Sequence, residues 1–431
     1  MIQVLIIADD LSGAADCASA FVRAGLETLV VIDRDARQDS ATKAAQVVAI
    51  DADTRRLSAA QAAGVHLEIH SQYRAAEQLF YKKIDSTLRG NFAEELAAVI
   101  PREGLAIVAP AFPQASRFTR GGHQYLDDAP LEHTEIWRRE GIQGSAHIPS
   151  MLMRQNIRTA AISINEIRQG LQSLRGLLET FAGQGIQAVV CDAETEDDLH
   201  SIACASMALS VPRFWVGSAG LANHLPAAAI ATVTPAVVVP VHICGAILTI
   251  IGSVSSVSRV QGEYLFSAAQ LERLDVPASV LRQGQSHPHW MQLHDALDTS
   301  FRHQRDMLIM IGMEEPLDMG EGLLLCQTLA LLVAPFADQI GAIISTGGET
   351  ARAVLSAMGS NGLHLVGEIE AGVPYSIAAG IKPIPVITKA GAFGSRETLL
   401  RCYEMLRQAR TGCAAIEASA SESTILHTKA S

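Results

Sequence analysis

The hydrophobic pattern of the chain is a series of short, nearly continuous β-branched runs set between segments of helical spacing. In the first half the runs are "IQVLIIA", "TLVVID", "QVVAIDA", "LFYKKID", "LAIVAP", "IQAVVCDA" and "RFWVGS"; in the second they are "ILTIIGS", "MLIMIG", "GAIIST" and "PIPVITK". Apolar runs without strict alternation belong to strands covered on both faces, as in parallel sheets. Residues 14–25 and 58–79, and the segment "FAEELAAVI", carry helical patterns between them. Strands that alternate with helices imply right-handed crossovers. The expected fold is therefore α/β with two domains, each a mostly parallel sheet flanked by helices, and an active site in the cleft between the domains. No internal repeat is visible.

The pattern also suggests where the domains divide. From Phe214 to Ser258 there is no Asp, Glu, Lys or Arg, which on hydropathy alone invites a membrane span. Pro226, Pro235, Pro240, His242 and Gly245 break the stretch, and no uninterrupted run reaches the roughly 20 residues that a span needs. The stretch reads instead as a Pro- and Ala-rich connection followed by a buried central strand. The expected division is an N-terminal domain over 1–225, a linker over 226–245, a C-terminal domain over 246–412 and a frayed tail over 413–431.

Composition agrees with this and narrows the partners. A chain of 431 residues, 48% apolar and only 5% aromatic, suits two cores of helices on sheets. A formal net charge of −12 argues against nucleic acid or an anionic membrane surface as partner. Any bound anion must then be met by local groups. Cys17, Cys191, Cys204, Cys244, Cys326, Cys402 and Cys413 have no metal-ligand or redox spacing and read as reduced core thiols. The N-terminus has no basic region and places acids directly after its apolar run, so it is a poor signal peptide. A cytoplasmic enzyme is the expectation, with a homodimer as the default assembly.

In open parallel sheets ligands bind where strands give way to helices, so the chemistry is sought in those turns. The first strand ends in "ADDLSGAAD": one of Asp9 and Asp10 can cap the helix that follows while the other faces a cleft. "YKKIDSTLRGN", residues 81–91, gathers Lys82, Lys83, Asp85, Ser86, Thr87, Arg89 and Asn91. A helix start needs one or two polar side chains, and this excess suits cations and hydroxyls converging on a hydroxylated carboxylic acid. In "DADTRRLS", residues 51–58, Arg55 or Arg56 can fork onto a carboxylate. The Gly- and Pro-rich segment over 110–137, studded with Arg117, Arg120, His123 and His133, reads as a long loop of the lid type. Neither its histidines nor "HPHWMQLH" at 287–294 has metal-ligand spacing.

The second half uses a different vocabulary. "IIGSVSSVSRVQ" at 250–261, "IISTGGETARAVL" at 343–355 and "ITKAGAFGSRETL" at 387–399 each follow an apolar strand with Gly and hydroxyl residues. Exposed amides in such turns cradle phosphate. None matches the Walker pattern, yet three such turns in one domain point to a nucleotide. A hydroxyl-reading acid site in one domain and a phosphate cradle in the other suit phosphoryl transfer.

Taken together, "ADDLSGAAD", "KKIDSTLRGN", "GSVSSVSRVQ", "STGGETA" and "KAGAFG", in order over residues 4–405, resemble the four-carbon acid sugar kinase family. The resemblance implies an N-terminal domain that binds a tetronate and a C-terminal domain that binds ATP with Mg²⁺. It places substrate contacts on Asp9, Asp10, Arg55, Lys83, Ile84, Asp85, Ser86 and Arg89. It places nucleotide contacts on Ser255, Gly347, Gly348, Glu349, Thr350 and Gly391. The implied reaction phosphorylates the terminal hydroxyl, with Asp10 or Asp9 taking or orienting its proton while Lys83 and Arg55 or Arg89 hold the carboxylate. D-threonate is the favoured substrate, and D-erythronate and 3-oxo-tetronate are the alternatives. The opening has Leu-Ser where the family more often has Thr in the second place, and the hydroxyl survives. The segment "HTEIWRREGIQGSAHIPSM" departs more from the family. A haloacid-dehalogenase-type phosphatase would need its two acids two residues apart, whereas Asp9 and Asp10 are adjacent. A non-enzymatic sugar-acid sensor would leave the three Gly-rich turns without purpose.

Overall fold

The computed structural model describes residues 3–33, 42, 44–229, 243–252, 255–312, 321–380 and 382–410, and the chain divides into two compact units, Met1–Ala236 and Val237–Ser431. The helix Leu225–Ala229 covers the first residues of the stretch read as a linker. The tail expected at 413–431 lies outside the described residues, as does most of that linker.

The first unit is built on strands β1 (Val4–Ala8), β2 (Thr28–Val31), β3 (Val47–Asp51), β4 (Leu79–Lys83) and β5 (Leu105–Ala109). A three-stranded antiparallel arm follows, β6 (Arg117–Arg120), β7 (His123–Leu126) and β8 (Ala129–Pro130). Then come β9 (Thr159–Ile162), β10 (Ala188–Cys191) and β11 (Arg213–Gly217). The main sheet runs β2-β3-β1-β4-β11-β5-β10-β9, and every neighbouring pair is parallel. All five residues of β1, β3 and β5 are buried, which is why their sequences read as unbroken apolar runs.

Register decides what this sheet presents at its carboxyl edge. Ala8 pairs with Asp51 and Ile7 with Lys82, so β1, β3 and β4 end nearly level. Asp9–Asp10, Thr54–Arg55, and Lys83 with the Ile84–Asp85 that follows it therefore lie side by side at this edge. The segment over 110–137 is not a structureless loop as expected: it holds the arm β6-β7-β8. Thr119 and Gln124 pair across β6 and β7, and both are buried.

The second unit comprises β12 (Ala246–Ile251), β13 (Glu272–Val276), β14 (Met307–Ile311), β15 (Ile340–Thr346), β16 (Gly362–Glu368), β17 (Pro374–Ala379) and β18 (Pro385–Lys389). Its order is β13-β14-β12-β15-β18-β17-β16. The pairs from β13 to β18 are parallel, while β17 runs antiparallel to both β18 and β16. Ile247, Ile251, Leu308, Ile344, Ile387 and Leu399 form part of a single core, each worth roughly 1.5–3 kcal/mol by burial. Ile251 pairs with Thr346, and Thr346 with Lys389, so the three Gly-rich turns begin from adjacent, level strand ends. Among the described residues one helical stretch, Gly322–Gln339, is long and apolar enough to cross a membrane; its Leu329, Leu332 and Val333 are buried in the unit.

Candidate active site

In the first unit the opening acids divide their work. Asp10 is the N-cap of the helix Leu11–Arg23, its Oδ1 accepting from Gly13 N at 3.0 Å, which satisfies an otherwise orphan amide. Asp9 is almost fully buried, and its Oδ2 accepts from Arg55 Nε at 2.7 Å. Arg55 spans three carboxylates: its Nη1 lies 3.0 Å from Asp10 Oδ2 and its Nη2 3.2 Å from Asp85 Oδ2. Burial opposes the charge on Arg55, but Asp10, Asp9 and Asp85 outweigh it and raise its pKa well above the ordinary guanidinium value. Asp85 is likewise buried, yet Arg89 and Arg55 hold its carboxyl well below the usual range. For Asp9 burial again works against ionisation, and Arg55 and Lys83 overcome it. These are permanently ionised groups at neutral pH.

Two atoms in this cluster have no direct partner among the described residues. Asp9 Oδ1 is buried without a hydrogen-bond partner, an acceptor waiting for a donor. Lys83 is buried, and among the described residues it makes no ion pair. Its ammonium lies against the first turn of the helix Leu11–Arg23, where a Cβ on Gly13 would overlap Nζ and stand 2.5 Å from Asp10 Oδ1. A cation at a helix N-terminus is unfavourable by itself; an anion seated between the two removes the conflict. Gly90, at φ +83°, passes over the same cluster, and a Cβ there would come within 3.1 Å of Asp9 Oδ2.

A buried network stands behind these groups. Lys82 Nζ lies 2.8 Å from Glu95 Oε2 and donates to Lys83 O at 2.9 Å. Thr54 Oγ1 donates to Glu95 Oε1 at 2.6 Å. Glu95 thereby ties the residue before Arg55 to the residue before Lys83. Asp85 Oδ1 accepts from Thr87 N at 2.7 Å and from the Thr87 hydroxyl, and Arg89 Nη2 donates to Asp85 Oδ2 at 2.6 Å. Ile84 is buried and donates its amide to Gly217 O at 2.8 Å, while Ser86 is half-buried.

In the second unit the predicted nucleotide residues fall into three linked turns. Gly347 caps the helix Gly348–Ala357 at φ +92°, and its amide donates to Lys389 O at 2.9 Å. Glu349 is half-buried in the first turn of that helix. Thr350 is buried, with its Oγ1 3.2 Å from Cys326 Sγ, and a Cβ on Gly252 would overlap that hydroxyl. Its side chain therefore serves packing between two turns. Ser255 caps the helix Ser256–Ala268, and Ser258 Oγ of that helix donates to Gly391 O at 2.7 Å.

Two family profiles cover these two units, one described as a sugar-binding N-terminal domain over residues 4–225 and one as a nucleotide-binding C-terminal domain over residues 248–399. The chain is 41% identical over 409 residues, 94% of its own length and 98% of the other's, to the D-threonate kinase of Cupriavidus necator. The chain belongs to the four-carbon acid sugar kinase family. It is also 30% identical to the D-threonate kinase of Bordetella bronchiseptica, over 94% of this chain and 98% of that one. Its identity to the 3-oxo-tetronate kinase of Pseudomonas fluorescens is 26%, over 91% and 94%. Among solved structures, a protein of Salmonella typhimurium matches with a TM-score of 0.77 at 21% identity, covering 93% of this chain and 99% of that one. That likeness shows the two-domain α/β fold.

As a four-carbon acid sugar kinase the protein is an ATP-dependent phosphotransferase, which sets aside the phosphatase and sensor readings. The sequence reading of this kinase did not assign Trp137 or Gln124 to its first-unit site, and it named Arg117 only as part of a lid-type segment. Trp137 Nε1 donates to Thr87 O at 2.9 Å, and Gln124 Nε2 donates to Ser86 O at 2.8 Å. Arg117 is half-buried; burial lowers its pKa, and Asp85 pulls the other way. Arg117 and Arg120 in the segment 110–137 were the available signal, but the contacts of this segment with the 85–89 turn depend on an arm that no periodicity announced.

Proposed function

We propose that this kinase phosphorylates the terminal hydroxyl of D-threonate. The observation that carries the reading is the 41% identity, over nearly the full length of both chains, to a D-threonate kinase, with a second at 30%. Erythronate differs in the configuration of one carbon and 3-oxo-tetronate in its oxidation, differences that a few contacts decide.

In the proposed arrangement Lys83 and Arg89 meet the substrate carboxylate, since Lys83 is buried, makes no direct ion pair among the described residues and sits at a helix N-terminus. The unpartnered Asp9 Oδ1 accepts from a substrate hydroxyl. Asp10, the more exposed of the two acids at 17% against 3%, orients the reacting hydroxyl and takes its proton. Arg55 fixes all three carboxylates so that none turns toward the incoming anion. The Gly347–Gly348 amides, with Ser255 and Gly391, hold the phosphates. Mg²⁺ would be held mainly by the phosphates of ATP. Among the described residues no group of three or more His, Cys, Asp or Glu could hold a metal ion, which suits an ion carried by phosphates and water with one or two carboxylates. Glu349 is the carboxylate in the Gly347 turn. When bound, the ion neutralises phosphate charge.

A coupled ADP-release assay over D-threonate, D-erythronate and 3-oxo-tetronate tests the substrate. The expected ranking by kcat/KM puts D-threonate first by at least about tenfold. A higher value for either alternative overturns the assignment while leaving the family intact. We place the enzyme in the cytoplasm, acting as a homodimer.

A further inference from the structure

We propose that Lys389 is a positioning residue for ATP: its ammonium folds the turn Ala390–Ser395 so that three backbone amides point outward as a phosphate cradle. The inference rests on the reading of the Gly391 turn as part of the nucleotide site. Lys389 ends β18 and is 1% exposed. Its Nζ donates to Ala390 O and Phe393 O at 2.9 Å each and to Gly391 O at 3.3 Å, with Ser258 Oγ at 3.4 Å. Among the described residues no carboxylate lies within ion-pair distance of it. A buried ammonium held only by neutral oxygens is costly to the fold, so its retention calls for a function.

The geometry of the peptide unit supplies one. In a trans peptide the C=O and the following N–H point in opposite directions. Carbonyls of 390, 391 and 393 gathered onto Nζ therefore turn the N–H groups of Gly391, Ala392 and Gly394 away from it. None of those three amides donates to a described residue, and Ala392 and Gly394 are exposed. Outward amides left without a protein acceptor and backed by a buried cation are donors open to an anion. The helix Ser256–Ala268 braces the same turn: Gln261 Nε2 donates to Phe393 O at 3.0 Å and to Ser395 O at 2.7 Å. Ser258 Oγ donates to Gly391 O. Burial lowers the Lys389 pKa to about 8, with Cys402 and Glu370 the ionisable groups that face it and pull the other way.

The test is the KM for ATP, at saturating sugar acid, from about pH 7 to about pH 9.5. The wild type is expected to lose affinity for ATP by about tenfold across that range as the ammonium discharges, with KM for the sugar acid flat. The Lys389→Met variant is expected to show the raised KM at every pH, no alkaline rise, and kcat within a few-fold of wild type. A wild-type KM at neutral pH in Lys389→Met, or an alkaline rise that persists in it, overturns the proposal. Should Lys389→Met fail to fold, a flat wild-type profile overturns it alone. Gly391→Val separates the underlying reading: unchanged KM for ATP there removes the turn from the nucleotide site. A raised KM in Gly391→Val beside a normal Lys389→Met removes only the role of Lys389.

Discussion

At the scale of single residues the first-unit site depends on what is missing as much as on what is present. Gly13 has no side chain, and that absence lets Lys83 Nζ and Asp10 Oδ1 share the first turn of one helix. Gly13→Ala is predicted to displace both groups and lower kcat/KM by about 100-fold while leaving the circular dichroism spectrum unchanged, because small misplacement of a positioning group costs that much. Near-normal turnover in that variant would show that Lys83 need not occupy its observed place. His66 gives a second prediction. It is fully buried, with Nδ1 3.2 Å from Ala62 O and 3.5 Å from Glu95 Oε1. Burial first, and Lys82 beside it, lower its pKa from 6.5 to about 4. Between those values the unfolded chain binds a proton that the folded chain refuses, so stability falls as pH drops from 6.5 toward 4 and then levels off, a loss of roughly 3 kcal/mol in all. Urea midpoints at about pH 7 and about pH 5 should show most of this loss in the wild type and much less in His66→Gln; equal losses would remove His66 as the source.

At the scale of elements, the segment read as a lid-type loop instead holds the paired arm β6-β7-β8. Gln124 of the arm and Trp137 of the helix Glu135–Glu140 that follows it donate to the carbonyls of Ser86 and Thr87 in the 85–89 turn. Trp137→Phe keeps the packing but strands the Thr87 carbonyl, a cost of about 1–3 kcal/mol. It is predicted to raise KM for the sugar acid several-fold with KM for ATP unchanged, measured by steady-state kinetics. An equal rise in both constants would mean global loosening instead. The elements legible in the sequence were those whose burial leaves an unbroken apolar run, such as β1, β3, β12 and β15. Asp9, Arg55, Lys83 and Asp85 were legible for a related reason, since each follows such a run and polar excess in a strand-to-helix turn has little structural use. β13 escaped notice because "ERLDV" is a half-exposed edge strand with its charges showing. β16 and β17 were hidden by the half-exposed alternation of an antiparallel pair. Trp137 and Gln124 could not be found because they reach the site from another segment, across a pairing that composition does not encode.

At the scale of the molecule, a chain of net charge −12 has to bind two anions, a sugar acid and ATP, and in the proposed arrangement it does so by concentrating cations and amides locally. The family profiles assign sugar binding to residues 4–225 and nucleotide binding to 248–399. The residue clusters agree in character, with charged side chains in the first and Gly-rich backbone in the second. The central claim is that Lys83 and its neighbours take the acid while the Gly347 turn takes the nucleotide. Calorimetric titration of Lys83→Ala and Gly347→Ala, each with D-threonate and with a non-hydrolysable ATP analogue, tests it most directly. Lys83→Ala is predicted to weaken D-threonate by about 100-fold and leave the analogue within about twofold, and Gly347→Ala to do the reverse. Loss of nucleotide binding in Lys83→Ala, with Gly347→Ala binding the analogue normally, would contradict the account.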